Sequence, residues 1–293
     1  RGNTLFEDEE LNAASKLVSG EIVQVSKVFD ENKRIKDLYG TKGYAFADSD
    51  YGMSKDEQAK TVALVFNIKE GELIRVQKIN ISGNDKTRDN VIRREVRINE
   101  QEVIDTVSMQ RSFQRLNNLQ FFETVEILPQ QVSPEKVDLN VKVKEKNTGQ
   151  FSIGGGYSTL DKLTSVVDVT EGNLGGRGQM IKVRGQLGQK RNLGLITFRE
   201  PYFRDSQMSV QVDVFNTVTN YTTYIENKKG ITLSFGRWFS EFVSGAFSPI
   251  VEGLTIKDVQ PNAPQFAIDQ TGNQSTTGFR SVLSRDTRDN YMD

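Results

Sequence analysis

The sequence predicts two small α+β modules in tandem, each of order β-α-α-β-β, followed by an antiparallel β structure of about eight strands. Three observations carry this. The first half of the chain repeats itself, and the second half loses helical periodicity and breaks into short alternating segments. Cysteine and histidine are both absent from the 293 residues, so neither half is stapled by disulfides or by a thiolate or imidazole metal site.

The repeat is read directly. Gly2-Asn3 returns as Gly83-Asn84, an offset of 81 residues, and at the same offset Leu17 meets Ile98, Arg34-Ile35 meets Arg115-Leu116 and Leu38 meets Leu119. Further on the offset shrinks to 75, where Val62, Leu64, Phe66 and Ile68 lie over Val137, Leu139, Val141 and Val143. Both runs alternate apolar with other residues, the period of a half-buried strand, and both continue into Lys-Glu. A repeat of this length means modules in series rather than one large core.

In the second copy the elements follow in order. Residues 76–82 alternate as a strand ending at the Gly83-Asn84 turn. Residues 87–96 read as a helix with Thr87 as N-cap and Val91, Ile92 and Glu95 at helical spacing. Residues 108–119 read as a second helix with Met109, Phe113 and Leu116 on one face. Strands at 124–128 and 137–144 close the module, joined through Pro129 and a Ser133-Pro134 turn. The first copy opens at its Gly-Asn turn, so its leading strand is expected upstream and the chain is expected to be a piece of a longer protein. The domains expected are residues 1–71, 72–147 and 148–293.

After Lys146 come the alternating segments. Phe151, Ile153, Gly155 and Tyr157 alternate with Ser152, Gly154 and Gly156; Ile181, Val183, Gly185 and Leu187 with Lys182, Arg184 and Gln186. Val210, Val212 and Val214 alternate likewise, as do Ile231, Leu233 and Phe235. Weaker segments at 163–170, 193–198, 243–257 and 277–285 complete about eight strands of roughly 7–12 residues. A soluble sandwich and a transmembrane barrel share this pattern. Connections near 172–178, 199–205 and 239–241 look short, whereas those near 216–229 and 258–276 look long and polar. Short turns at one end and long loops at the other favour the barrel. Phe198, Tyr202, Phe203, Trp238, Phe239 and Phe242 gather at the short-turn end, where an interfacial aromatic girdle belongs.

Composition narrows the function. The 38 basic and 39 acidic residues leave a net charge of −1, which gives no basic excess for capturing nucleic acid. Absence of histidine excludes Ser-His-Asp and Cys-His catalysis within these residues, and no carboxylate or Ser-Lys constellation takes their place, so no enzyme is expected. Mean hydropathy is −0.51 and no run of about 18 apolar residues exists, so no transmembrane helix is expected. A barrel would leave no trace in such averages, because half of each strand faces a polar lumen. Arg1 is not followed by the apolar segment of a signal peptide.

Certain motifs link the two halves. They are Ile79-Asn80-Ile81-Ser82-Gly83-Asn84, Arg115-Leu116-Asn117-Asn118-Leu119 leading to Phe121-Phe122-Glu123, Gly172-Asn173-Leu174-Gly175-Gly176-Arg177-Gly178, Glu200-Pro201-Tyr202-Phe203 and Arg285-Asp286-Thr287-Arg288-Asp289. In order and spacing, over nearly the whole chain, they resemble the surface-antigen superfamily of outer-membrane protein assembly factors. The resemblance implies a string of periplasmic POTRA modules followed by an antiparallel transmembrane β-barrel of about sixteen strands. Residues 1–146 would be two such modules, and the remainder only the N-terminal half of the barrel. It also implies insertion of other β-barrel proteins into the bacterial outer membrane without cofactor or nucleotide. The implied partners are unfolded outer-membrane β-barrel proteins, accessory assembly lipoproteins and the lipid bilayer, with no nucleic acid. A two-partner-type polypeptide secretion pore shares the same parts and is the alternative.

Three sets of residues are candidates. In the family the first barrel strand forms one side of a weak seam, the lateral gate. Here that strand carries Phe151, Ile153, Gly154, Gly155, Gly156 and Tyr157, and three consecutive glycines remove side-chain packing from it. They could equally make room for a bulge or a lumen plug. They lack the spacing and following helix of a dinucleotide loop, and residues 172–178 lack the lysine of a P-loop. In the second module Glu123, Thr124, Val125, Glu126 and Ile127 are expected at a sheet edge open to a partner or substrate strand, or simply completing the module. Arg285, Asp286, Arg288 and Asp289 would lie at the barrel rim, as an ion-pair network or a solvated charge run.

Overall fold

The computed structural model describes residues 1–159, 162–240 and 242–287. The chain divides after Lys146 into two compact units.

The first unit holds two modules. The first contains α1 (Asp8–Ala14), α2 (Val25–Gly40) and the antiparallel pair β1 (Asp48–Asp56) and β2 (Thr61–Lys69). The second contains β3 (Arg75–Ser82), α3 (Asp89–Arg93), α4 (Thr106–Asn118), β4 (Phe122–Ser133) and β5 (Lys136–Glu145). Its sheet has the order β3-β5-β4, with β3 parallel and β4 antiparallel to the central β5. Alternation on β5 puts Val137, Leu139, Val141 and Val143 in the core with Ile74, Val76, Ile92, Ile104 and Leu116, while Lys136, Asp138, Asn140 and Lys142 face away.

Both copies use the same device to close. Gly2 and Gly83 have φ of +85° and +84°, and a Cβ on either would lie 2.3 Å from the Ile68 carbonyl oxygen or 1.9 Å from that of Val143. Only glycine fits. The next residue, Asn3 or Asn84, donates its side-chain amide to the Phe6 or Thr87 carbonyl and to Asp8 or Asp89. The glutamate ending the last strand then clasps the following loop. Glu145 accepts the N–H groups of Lys86 and Thr87 at 2.9 and 2.6 Å. Glu70 accepts those of Thr4 and Leu5 at 2.5 and 2.9 Å, and the hydroxyls of Thr4 and Tyr39. Burial opposes the charge on Glu70, yet these donors prevail and hold its carboxyl down at about 2. Burial also opposes the charge on Glu145, whose carboxyl is nevertheless held low by Thr87 and Lys86. Burial, with Glu70 beside it, pushes the Tyr39 hydroxyl up.

Three local expectations are corrected. α3 is a single turn with Arg88 at its N-cap, not a helix from Thr87, whose side chain and N–H both bond Glu145 instead of capping. α4 begins at the Asp105 cap, whose carboxylate accepts from Val107 and Ser108, and it turns Ser112 inward rather than Phe113. The buried Ser112 hydroxyl donates to the Ser108 carbonyl and accepts the Arg97 N–H, which satisfies a polar group at that depth. β4 runs through Pro129 to Ser133 instead of ending near Leu128, and tolerates the proline because it is an edge strand.

The second unit is one eight-stranded antiparallel sheet of neighbouring strands. They are β6 (Gly149–Ser158), β7 (Lys162–Leu174), β8 (Gln179–Gly188), β9 (Arg191–Glu200), β10 (Met208–Asn220), β11 (Ile225–Trp238), β12 (Val243–Lys257) and β13 (Gly272–Arg285). A short helix, α5 (Gln265–Asp269), lies in the β12–β13 loop. The strands have 10 to 15 residues, longer than the alternation alone suggested. Tilted by about 45°, about ten residues cross the apolar thickness of an outer membrane. The expected long loop at 216–229 is mostly strand, with pairing continuing to Asn220↔Ile225. Turn lengths consequently do not separate the two ends: 189–190 is a two-residue connection at the same end as 258–271, and 201–207 lies at the other.

Candidate functional site

The two faces of the sheet decide between sandwich and barrel. One row of directly paired residues runs Phe151, Val169, Val183, Ile196, Val214, Ile231 and Val251, across seven strands. All are exposed, from 44% at Val183 and Val214 to 68% at Phe151. The adjacent row on the other face is polar from Gln150 through Thr170, Lys182, Thr197 and Asp213 to Thr232, and ends at Ile250. On that face Arg184 grips Asp168 through Nε and Nη2 at 2.7 and 3.1 Å, and the Thr197 hydroxyl donates to Asp213 at 2.6 Å. A water-soluble sandwich would cover the apolar face with a second sheet, and the described residues of this unit form a single sheet. Apolar outward and polar inward is the barrel arrangement in lipid. Phe203, Trp238, Phe239 and Phe242, all exposed, lie at the end formed by turns 201–207 and 239–242.

β6 is one edge of this sheet and β13 the other. β6 pairs with β7 in ten unbroken register steps, from Gly149↔Glu171 to Ser158↔Lys162. The glycines therefore make no bulge. A Cβ on Gly154 or Gly156 would meet nothing within 4 Å, and one on Gly155 would meet the Thr164 carbonyl at 3.4 Å. No close approach calls for glycine there. Opposite Val166, Ser165 and Thr164, these positions give up three cross-strand side-chain pairs, worth roughly 0.2–1 kcal/mol each. Phe151, Ile153 and Tyr157 point outward and are 68–72% exposed. The strand is held by main-chain pairing with β7, to which the Thr164 hydroxyl adds a bond to the Gly156 carbonyl at 3.3 Å.

β4 is the other candidate edge. Glu123 sits at a register shift between Phe122 and Thr124 and pairs with Lys144 at 2.7 Å, Glu126 stands opposite Lys142, and Val125 is buried. A second shift lies between Gln131 and Ser133. Bulges, charges and Pro129 blunt an edge, which leaves Thr124 to Leu128 as the regular stretch. At the rim, Arg285 ends β13 opposite Val243, and the Asp286 N–H donates to the Phe242 carbonyl at 2.8 Å. Arg288 and Asp289 lie outside the described residues. Among the described residues no group of three or more acidic side chains is gathered to hold a metal ion.

Sequence reasoning missed the foot of β6, where the Thr148 hydroxyl donates to Glu171. It also missed the inward pairs of Asp168 with Arg184 and Thr197 with Asp213. The inward polar positions were visible as alternation, but their partners follow only from register.

A string of small α+β modules joined to an outward-apolar antiparallel sheet defines an outer-membrane barrel protein with soluble repeat modules. Residues 173–293 match the Omp85 superfamily domain, and residues 1–71 and 74–146 match the surface antigen variable number repeat, POTRA. The chain belongs to the Omp85 superfamily, with its sheet in the outer membrane and its modules in the periplasm. It is 28% identical over 261 residues to the outer membrane protein assembly factor BamA of Nitratidesulfovibrio vulgaris, covering 88% of this chain and 33% of that protein. To BamA of Neisseria meningitidis serogroup B it is 32% identical over 231 residues, covering 76% and 29%. The chain thus spans about a third of the length of these curated relatives. In fold it is similar to BamA from Haemophilus ducreyi lacking POTRA domains 1-3, with a TM-score of 0.79 at 24% identity over 99% of this chain and 59% of that one. CdiB from Escherichia coli is more distant, with a TM-score of 0.51 at 12% identity over 96% and 54%.

Proposed function

We propose that this protein assembles β-barrel proteins into the bacterial outer membrane, with β6 as the strand on which a client strand is templated. The observation that carries the reading is the run of three glycines on β6, the first strand of the sheet, where no close approach calls for glycine. A client strand entering lipid must keep every N–H and C=O paired. A free strand edge lets it exchange water for main-chain hydrogen bonds, one after another, with no covalent chemistry. Thinned side-chain packing lets Phe151 to Tyr157 bend or shift register as the client adds.

The modules hold the client before insertion. Residues 1–71 and 72–147 are the proposed module bounds, with 148–293 as the barrel part. Glu123, Thr124, Val125, Glu126 and Ile127 are the proposed contact for a client strand or an accessory lipoprotein, and Arg285, Asp286, Arg288 and Asp289 the proposed rim charges. Relatives named as assembly factors support a non-enzymatic role.

The test is reconstitution of the complete protein in liposomes, with an unfolded outer-membrane protein added and its folding followed by heat-modifiable gel mobility. Acceleration over empty liposomes is expected. Absence of acceleration, with transport of a soluble polypeptide instead, would favour a secretion pore.

A further inference from the structure

β6 is held unequally along its length. At its foot the Thr148 hydroxyl donates to Oε1 of Glu171, the residue directly opposite Gly149. The same oxygen accepts the Asn173 N–H at 2.8 Å, and the Gly172 N–H donates to the Thr148 carbonyl at 3.3 Å. The Asn173 side chain in turn accepts the Gly178 N–H at 2.7 Å, which ties the clasp to the 175–178 turn. Farther along, Gly154 and Gly156 present no side chain and a Cβ on either would meet nothing within 4 Å, and the Thr164 hydroxyl adds a longer bond to the Gly156 carbonyl at 3.3 Å.

We propose that Glu171 is a positioning residue that pins the foot of β6 to β7, so that opening of the strand is confined to its glycine half. The inference rests on reading β6 as the client-receiving strand. A strand loose at both ends would fray from the sheet or slip in register, and a two-residue slip would present a client with a different set of partners. A strand fixed at one end can bend and still return to the same register. Glu171 does this with one carboxylate oxygen. A glutamine amide oxygen can stand in for that oxygen, while alanine cannot.

The complete protein is reconstituted in nanodiscs as wild type, Glu171→Ala, Glu171→Gln and Thr148→Val, and barrel folding of each is checked by heat-modifiable mobility. Amide hydrogen exchange along 149–158 is then read without client. In the wild type, residues 150–152 exchange more slowly than 154–156. Glu171→Ala speeds exchange at 150–152 by about tenfold, the worth of one hydrogen bond, and Glu171→Gln, which keeps an acceptor oxygen but not the charge, by clearly less. Thr148→Val, close in shape, shows the same loss as Glu171→Ala and carries the test if the alanine variant does not fold. Even protection along wild-type β6, unchanged exchange in Glu171→Ala and Thr148→Val, or equal loss in Glu171→Gln and Glu171→Ala would each overturn the pin. Because exchange is read without client, a failure to accelerate client folding would overturn the assembly reading alone.

Discussion

Filling the glycines of β6 is the most informative perturbation. Gly154 and Gly156 lie on the inward face opposite Val166 and Thr164, their backbone is extended, and a new Cβ at either meets open space. The double variant Gly154→Val/Gly156→Thr therefore meets no clash with the described residues. At each position it removes about 0.5–1 kcal/mol of backbone freedom that glycine retains. It adds a cross-strand pair worth about 0.2–1 kcal/mol. Together the two sites stabilise the β6–β7 pairing by about 1.4–4 kcal/mol, a shift of about 10- to 1000-fold in strand opening. If opening of β6 governs templating, client folding slows by at least about tenfold, while the barrel itself gains heat resistance. The assay is the rate of heat-modifiable client folding at matched amounts of folded variant. A folded double variant that assembles clients at the wild-type rate would refute the reasoning.

Other outcomes follow from the same structure. Gly83→Ala forces a Cβ against the Val143 carbonyl at positive φ and destabilises the second module by about 1–3 kcal/mol, read by urea denaturation of residues 1–146. The Glu70 carboxyl is depressed to about 2, so its contribution to stability is fully present above about 4.5, the ordinary carboxylate value, and is lost as pH falls through about 2. Glu70→Gln flattens that acid limb of the stability profile, and an unchanged limb would count against the clasp. On β8, Val183→Arg puts a charge on the lipid face at a cost of about 2–4 kcal/mol and lowers the folded fraction in membranes, whereas Gln186→Arg on the inward face leaves it near wild type.

The sequence was most informative where one face of an element meets apolar surroundings. Val62 to Ile68 and Val137 to Val143 alternate because one face is core, and Val210 to Val214 because one face is lipid. The stretch 216–229 looked like a loop because both faces of a strand that continues beyond the apolar layer can be polar, so alternation vanishes while pairing persists. Phe113 and Ser112 differ by one helical position, and hydrogen bonds of the Ser112 hydroxyl to Ser108 and Arg97 settle which faces inward. The glycines of β6 were visible as letters, but that they form no bulge depends on register with β7. Glu171 and Thr148 are 23 residues apart, and only the hairpin brings them together.

These 293 residues contain no cysteine, so a cysteine placed on β6 is the only one among them. One each at Phe151, Ser152, Ile153 and Tyr157, paired in turn with single cysteines along one strand of a folding client, reads the pairing by disulfide formation during assembly. The account predicts crosslinks from β6 to the client in one register, with efficiency alternating along the strand as hydrogen-bonded and non-hydrogen-bonded pairs alternate. Client folding that is accelerated in full while β6 forms no crosslink with it would contradict templating on this strand.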